Sequence, residues 1–247
     1  MIQSHFPTIS SHTGTAAETD KPWDIRETQR IAKGRTADGL KFINHYVVLE
    51  TIGHGRFAKV QLCERVAGDE DMTQVSGRHP AQERPKYALK VFSKRELSKM
   101  REYLSDSTQQ VDGVAQLPRM KVVTQLDRVR DEIAIMRTLY HRNVVLPYEV
   151  MESEESDKLY LVLEYLAKGP VMQYHPETKD FISPITQSVL SEELARSHTR
   201  DILNGVLYLH QRGICHRDLK VCQRIDCCAL LEVSDLVSIV CSLTTSY

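Results

Sequence analysis

The hydrophobic pattern of the chain predicts three short strands, a long helix, two further strands and a second long helix. From Tyr46 onward, β-branched and aromatic residues cluster in short runs that are typical of strands. We assign strands to Tyr46–Ile52, Ala58–Cys63, Tyr87–Phe92, Val144–Val150 and Leu159–Tyr165. A glycine turn joins the first two, which predicts a hairpin. Residues 1–44 show no sustained period and are rich in Ser, Thr, Ala and charge, so we expect a mobile N-terminal extension.

An amphipathic helix is predicted over residues 126–140. Its apolar positions recur at spacings of three and four residues and are Leu126, Val129, Ile133, Met136 and Tyr140. Glu132 lies at the edge of this apolar face, because at about 100° per residue it is only about 40° from Met136. An acid in that position requires a cation nearby.

A second helix is predicted to begin after Ser191, a favourable N-cap residue, and to end at Gly213. Glu192 and Glu193 complement the helix dipole in its first turn. Its apolar stripe consists of Leu194, Ile202, Val206 and Leu209, with Leu203 and Leu207 beside it. The polar segments 65–85 and 97–124 are predicted to be loops or insertions.

Composition and charge narrow the classes of protein that remain. The chain has 247 residues and a formal net charge of −1, which argues against nucleic-acid or membrane binding driven by net charge. No apolar stretch approaches the ~18 residues that span a bilayer. Residues 1–7 lack the features of a secretory signal, so we expect a cytoplasmic protein. The cysteine spacing does not suit zinc, and no metal-ligating residue is assigned.

Gly53 and Gly55 lie between two predicted strands, where missing side chains would let backbone N–H groups approach a triphosphate. A plain hairpin turn explains the same glycines, because Gly-x-Gly is common in turns. No helix is predicted directly after this loop, and Gly-Lys-Ser/Thr is absent from the sequence. Dinucleotide-binding and Walker-type loops are therefore excluded.

Lys90 and Glu132 are two charged residues at positions that favour burial. By strand alternation Lys90 shares a face with Ala88 and Phe92, and lysine is rarely placed on an apolar face without a partner. On a half-exposed sheet Lys90 would instead face solvent. One ion pair would satisfy both Lys90 and Glu132, so we predict that they pair within salt-bridge distance.

The segment His216-Arg217-Asp218-Leu219-Lys220 follows the second predicted helix. In an extended loop, side chains two residues apart point the same way. Asp218 is thus suited to accept a hydroxyl proton while Lys220 steadies a transferring phosphoryl group. A solvated charge run is the alternative interpretation.

Taken in order, these motifs resemble those of the protein kinases. The residues that carry the resemblance are Gly53-x-Gly55-x-Phe57-Ala58-x-Val60, Ala88-Leu89-Lys90, Glu132 and His216-Arg217-Asp218-Leu219-Lys220. The resemblance implies an α+β fold with a kinase-like N-lobe, in which an antiparallel sheet carries one helix, and an incomplete helical C-lobe. It places the N-lobe and hinge at 45–166, the start of the C-lobe at 167–220 and an unrelated tail at 221–247.

The resemblance also implies a reaction and its residues. The chain would transfer the γ-phosphoryl group of ATP, with Mg²⁺, to Ser or Thr of a protein substrate. Lys90 would bind the α- and β-phosphates, Glu132 would orient Lys90, Asp218 would position the substrate hydroxyl, and Lys220 is typical of serine/threonine kinases. The implied ATP-binding residues are Ile52, Gly53, Gly55, Ala58, Val60, Ala88, Lys90, the gatekeeper Leu163, and Glu164 and Leu166 of the hinge.

A narrower resemblance is to the calcium/calmodulin-dependent protein kinase kinases. It is carried by the long insertion between Lys90 and Glu132 and by the segments Glu132–Met136, His141-x-Asn143-Val144-Val145 and Gly169-Pro170-Val171-Met172. It implies a downstream kinase as a candidate substrate and calmodulin as a candidate partner of full-length members. The insertion is Arg/Pro-rich in that subfamily and sparsely so here, and Ala58 replaces the third glycine of the loop.

The resemblance ends after Lys220. Where the family continues Lys-Pro-x-Asn and later Asp-Phe-Gly, this chain has Val221-Cys222-Gln223, so the family's magnesium ligands are missing. A break inside a loop favours a retained intron or a mis-predicted gene model over an authentic short isoform. We therefore expect a chain truncated in the catalytic loop, with little activity and a tail that packs poorly on the N-lobe. A non-catalytic kinase-like binding module is the alternative function.

Overall fold

The structure is a computed structural model that describes residues 24–55, 57–68, 70–77, 83–105, 120–216 and 219. In chain order its elements are β1 (Arg26–Thr28), β2 (Lys33–Arg35), β3 (Lys41–Ile43), β4 (Tyr46–His54), β5 (Ala58–Arg65), β6 (Lys86–Ser93), α1 (Lys94–Lys99), β7 (Arg101–Ser105), β8 (Met120–Thr124), α2 (Gln125–Arg137), β9 (Pro147–Glu152), β10 (Lys158–Glu164), β11 (Gln173–His175), β12 (Asp180–Ile182) and α3 (Glu192–His210).

One eight-stranded sheet dominates the described chain, in the order β1-β9-β10-β6-β5-β4-β3-β2. Its five central strands are those predicted from the hydrophobic pattern, and all pairings among them are antiparallel. The inner face of the sheet packs against α2 and part of α3, and the outer face carries a second apolar cluster. The predicted α+β fold is confirmed.

Residues 24–44 differ from the predicted mobile extension and require a correction. Strand β1 pairs in parallel with β9 at one edge of the sheet, while β2 and β3 extend the opposite edge. Asn44, at φ 50°, lies between β3 and β4, and its Oδ1 accepts a hydrogen bond from the Ala32 amide at 2.7 Å, which connects this turn to the residue before β2. Three-residue strands are too short to show a hydrophobic period, which is why the pattern missed them. Residues 1–23 lie outside the described residues.

The two long helices occur where they were predicted. Helix α2 follows Thr124, whose side chain and that of Asp127 form a reciprocal capping box. Helix α3 follows Ser191, whose Oγ accepts a hydrogen bond from the Leu194 amide at 3.3 Å, and the turn after it contains Gly213 at φ 70°. None of the three described helices is long and apolar enough to cross a bilayer.

The insertion before α2 also corrects a prediction, because part of it is not a loop. Strands β7 and β8 pair with each other as a two-stranded antiparallel hairpin, separate from the main sheet. Val123 is buried against the protein, whereas Tyr103, Met120 and Val122 are exposed. Residues 106–119, between the two strands, lie outside the described residues.

Candidate active site

Strand register brings together residues that are far apart in the sequence. Across the sheet, Gly53 is paired with Val60, Val60 with Lys90, and Lys90 with Leu161. The next row along pairs Ala88 with Leu163. These rows form one continuous surface on the inner face, because antiparallel partners point to the same side of a sheet.

The glycine turn between β4 and β5 is shaped by its own backbone. The Gly55 amide donates a hydrogen bond to the Ala58 carbonyl at 2.7 Å. A Cβ atom added to Gly53 would meet nothing closer than the Val60 Cβ at 3.8 Å, which is ordinary van der Waals contact. Packing within the described protein therefore does not require a glycine at this position. A ligand that lies against the backbone would require one.

Lys90 lies on the inner face of β6 and is only 5% exposed. Its Nζ stands 5.3 Å from the centroid of the Phe92 ring, on the same side of the strand. The alternative in which Lys90 faces solvent is therefore excluded. A buried amine on the inner sheet face is suited to bind an anion, because burial strengthens its electrostatic attraction.

Glu132 faces the same interior from α2 and is 3% exposed. Among the described residues, no group donates a hydrogen bond to either of its carboxylate oxygens. Burial raises the pKa of Glu132 to about 9, and the positive charge of Lys90 acts in the opposite direction. Lys90 is thus close enough to act electrostatically on Glu132.

The predicted ion pair between Lys90 and Glu132 does not form in this structure, so that prediction is wrong. The helix phase and the strand alternation fixed the direction of both side chains but not the distance between them. That distance depends on where α2 sits, and contacts elsewhere on the helix hold it. Arg130 Nη2 donates to Glu152 Oε1 at 2.5 Å, and Arg137 pairs with Glu27.

The predicted hinge leads out of β10. The gatekeeper position Leu163 is buried opposite Ala88, and the Glu164 amide donates to the Leu146 carbonyl at 2.9 Å. Leu166 is buried, and its carbonyl accepts a hydrogen bond from the Gly169 amide at 3.1 Å. Gly169 has φ 71°, a left-handed conformation that favours glycine, so the turn after the hinge is fixed by sequence.

The remaining predicted nucleotide residues line the same part of the sheet. Ile52 and Gly53 belong to the end of β4, and Ala58 and Val60 on β5 pack against the inner core cluster. The structure thus gathers all ten predicted nucleotide residues onto β4, β5, β6, β10 and the adjoining turns. Whether each contacts a nucleotide stays a prediction.

The predicted catalytic loop is described only in part. Ile214 and His216 are buried after α3, and Leu219 is exposed. Asp218 and Lys220 lie outside the described residues, as does the tail 221–247. Their predicted roles therefore stay predictions.

The described residues fit a nucleotide, whereas they hold no group of side chains suited to a metal ion. A buried lysine, a glycine that packing does not require, and an apolar floor of Val60, Ala88 and Leu163 fit a nucleotide. For Mg²⁺, the described part of the chain holds no cluster of three or more His, Cys, Asp or Glu side chains that would bind a metal. The sequence position that the family uses, Gln223, lies outside it.

Sequence reasoning missed the acidic residues that hold α2. Glu152 on β9 contacts Arg130 and, at 3.8 Å, Lys94. Glu102 on β7 contacts Arg128 at 3.3 Å. No local spacing signals such pairs, because the partners come from separate elements and their encounter depends on the fold.

The model of the protein kinase domain family matches residues 46–222 of this chain. That range covers β4 to α3, including the whole candidate site. The chain therefore belongs to the protein kinase family.

The relatives of this chain include serine/threonine protein kinases. The chain is 35% identical over 198 residues to serine/threonine-protein kinase ssp1 of Schizosaccharomyces pombe, covering 80% of this chain and 24% of the relative. A probable serine/threonine-protein kinase of Dictyostelium discoideum is 34% identical over 195 residues, 79% of this chain and 22% of the relative. SNF1-activating kinase 1 of Saccharomyces cerevisiae is 30% identical over 218 residues, 86% of this chain and 16% of the relative. The chain spans about a quarter or less of these relatives' length.

Proposed function

We propose that the chain is the nucleotide-binding part of a serine/threonine protein kinase, which transfers the γ-phosphoryl group of ATP to a protein hydroxyl. The observation that carries the proposal is Lys90, buried and directed inward on the sheet face that also holds Gly53, Ala88 and Leu163. The named relatives support the serine/threonine class, as does Lys220 two residues after Asp218 in the sequence.

In the proposed mechanism the nucleotide lies on the inner sheet face. The hinge from Glu164 to Leu166 holds the adenine, and the turn at Gly53 and Gly55 covers the phosphates. Lys90 binds the α- and β-phosphates, because a buried cation is a strong partner for an anion. Mg²⁺, when bound, neutralises charge on the phosphates.

Transfer of the γ-phosphoryl group then requires a substrate hydroxyl that accepts the phosphoryl group and a base that accepts the proton of that hydroxyl. The substrate hydroxyl oxygen forms a bond to the γ-phosphorus, the bond from that phosphorus to the bridging oxygen of ADP breaks, and Asp218 receives the hydroxyl proton. Glu132 orients Lys90 once the two residues pair. That pairing needs Glu132 to ionise and α2 to approach the sheet, since the carboxylate has no described hydrogen-bond donor in the present arrangement.

We further propose that the protein substrate is itself a kinase. The name of the relative SNF1-activating kinase 1 and the resemblance to the calcium/calmodulin-dependent protein kinase kinases both support this substrate class. Calmodulin as a partner rests on that resemblance alone. The cytoplasmic location stays a prediction from sequence.

The residues after Lys220 limit the activity proposed for this chain. The sequence has Gln223 where the family has a magnesium-binding Asn, and it contains no Asp-Phe-Gly. Losing one aligned electrostatic stabiliser costs about 2.7–4 kcal/mol of transition-state stabilisation, so losing two would cost roughly 5–8 kcal/mol if additive. Enzymes supply about 8–23 kcal/mol in total. We therefore expect phosphoryl transfer near the background rate.

The experiment measures phosphate transfer from ATP to a Ser- or Thr-containing peptide by the purified chain, with Asp218→Asn as the control. We expect near-background transfer in both proteins. Robust transfer that Asp218→Asn abolishes would show that a group in the tail positions magnesium, and it would overturn the limit on activity while supporting the kinase reaction.

A non-catalytic kinase-like binding module is the second candidate. The unclosed contact between Lys90 and Glu132 favours it, because an active kinase needs that pair in place. Such a module would bind a partner equally well with and without ATP. Genomic sequence beyond the codon for Lys220 separates the two: a reading frame that restores Pro-x-Asn and Asp-Phe-Gly supports the enzyme.

A further inference from the structure

We propose that the β7–β8 hairpin positions α2, and with it Glu132, through the carboxylate of Glu102. Glu102 does not belong to the candidate nucleotide site and acts as a positioning residue. The inference rests on the proposed function only in taking Glu132 as the partner of Lys90.

The hairpin is joined to α2 without a linker. Strand β8 ends at Thr124 and α2 begins at the next residue, Gln125. The Thr124 amide donates to Asp127 Oδ2 at 2.9 Å, and the Asp127 amide donates to Thr124 Oγ1 at 3.2 Å. The Gln125 amide donates to the Met100 carbonyl at 3.0 Å, next to the first residue of β7. Both strands of the hairpin therefore meet the first turn of the helix.

Glu102 adds a side-chain connection at the same place. Its Oε1 accepts a hydrogen bond from Gln125 Nε2 at 2.7 Å, and its Oε2 accepts one from Arg128 Nη2 at 3.3 Å. The Arg128 side chain is 5% exposed, whereas that of Glu102 is 40% exposed. A charged hydrogen bond to a buried guanidinium is stronger than one at the surface, because water competes for it less.

Arg128 lies on the same face of α2 as Glu132. The two residues are four positions apart, and both are buried. A rotation or shift of α2 that moves Arg128 therefore moves Glu132 by a similar amount. Because no described donor holds the Glu132 carboxyl group, its position follows that of α2, to which the Glu102 contact contributes beside the apolar packing of the helix.

The β7–β8 hairpin extends away from α2, so that a movement of the hairpin would also move the first turn of the helix. Its five paired positions run from Arg101 opposite Thr124 to Ser105 opposite Met120, away from the helix. Tyr103, Met120 and Val122 are 63%, 66% and 47% exposed, so the main sheet does not hold this face of the hairpin. The hairpin joins the rest of the protein next to the first turn of α2, and its movement would therefore act on that turn.

The first test measures amide hydrogen exchange across α2 in the full chain and in Glu102→Gln, which removes the charge and keeps the shape. The matched control is Glu96→Gln, because Glu96 is also glutamate but pairs with Lys99 on α1 at the surface. We expect about ten-fold faster exchange in residues 125–133 of Glu102→Gln and no change in the control. Unchanged exchange would overturn the inference. If Glu102→Gln does not fold, Glu102→Asp replaces it.

The second test measures the affinity for ATP with Mg²⁺ in a double-mutant cycle with Glu132→Gln. We expect Glu102→Gln alone to tighten binding about five-fold, since Glu102 holds α2 in the arrangement that leaves Glu132 unpaired with Lys90, and its loss lets α2 approach the sheet. In the Glu132→Gln background the same change should have no further effect. A purely structural role would weaken binding equally in both backgrounds, and that additive result would overturn the inference.

The two tests also separate this inference from the proposed function. If the unmodified chain binds no ATP, the proposed function fails, and hydrogen exchange alone decides whether Glu102 positions α2. If ATP binds and neither exchange nor affinity responds to Glu102→Gln, the proposed function stands and the inference fails.

Discussion

At Glu132, burial decides the charge of the side chain. The carboxyl is 3% exposed, and desolvation raises its pKa to about 9 from an ordinary value of 4.5. In the present arrangement the group is therefore neutral near pH 7. Pairing with Lys90 would require it to lose its proton, so charge and helix position at this residue are linked.

The raised pKa predicts a stability that falls with increasing pH. The folded-state pKa lies above the unfolded value, so the contribution of Glu132 is fully present below about pH 4.5 and is lost as the pH rises toward about 9. Relative to Glu132→Gln, the unmodified chain should lose on the order of 1 kcal/mol per pH unit in this window. Urea unfolding of both proteins at about pH 5 and about pH 8 measures the difference. A difference that is the same at both pH values would contradict this account of Glu132.

The directions of individual side chains were predictable from sequence, and their contacts were not. Strand alternation placed Lys90 on the inner face, and helical phase placed Glu132 at a buried edge. Both conclusions follow from local geometry. The distance between the two residues depends on how α2 docks, and this is fixed by Glu27, Glu102 and Glu152 on distant strands.

Among the elements, α1 depends on a cap from another part of the chain. The adjacent Ser93 side chain does not cap it. Instead, Asp157 in the turn before β10 accepts hydrogen bonds from the Arg95 amide at 2.8 Å and from Ser93 Oγ at 2.9 Å. The Arg95 amide and the Ser93 hydroxyl lower the pKa of Asp157 to about 2.

Replacing the cap should destabilise the fold in a pH-dependent way. Asp157→Ala should lower the Tm at neutral pH, because the first turn of α1 loses its acceptor. The folded-state pKa lies below the unfolded one, so this contribution is present above about pH 4 and is lost as the pH falls toward about 2. Thermal unfolding by circular dichroism tests this, with Glu154→Ala in the same turn as control. Equal Tm values for Asp157→Ala and the control at neutral pH would show that the cap is unimportant.

Elements long enough to repeat a hydrophobic spacing were predicted, and shorter ones were not. The five central strands and helices α2 and α3 each show a period in sequence. Strands β1 to β3 have three residues each, and α1 has six. Strand β1 also gains its order from a partner more than a hundred positions away, since Thr28 Oγ1 donates to Glu149 Oε1 at 2.5 Å. A contact between residues so far apart in the chain cannot be predicted from the local sequence around either one.

At the scale of the whole molecule, α3 presents one covered face and one uncovered face. Leu209 is fully buried, and Ile202 and Val206 pack against the inner core cluster. Leu203 and Leu207, one helical turn apart, are 59% and 56% exposed. Adjacent exposed leucines on a helix favour association between molecules.

The uncovered face predicts self-association of the chain. The double variant Leu203→Glu/Leu207→Glu should reduce the apparent mass in size-exclusion chromatography with light scattering, because charges replace the apolar contact surface. Helix content should be retained, since neither side chain is buried. The double variant Arg196→Glu/Arg200→Glu, on exposed positions of the same helix, controls for added charge. Equal association in all three proteins would show that this face plays no part.

Lys90 and the surrounding sheet face are the proposed binding site for ATP. Isothermal titration of ATP with Mg²⁺ into the chain, Lys90→Met and Lys41→Met tests it most directly, because Lys41 is an exposed lysine on β3 at the far side of the sheet. Removing a charged hydrogen bond costs about 1.5–3 kcal/mol, so Lys90→Met should bind roughly ten-fold or more weakly while Lys41→Met binds like the unmodified chain. Equal affinity in all three proteins, or no binding by the unmodified chain, would contradict the account.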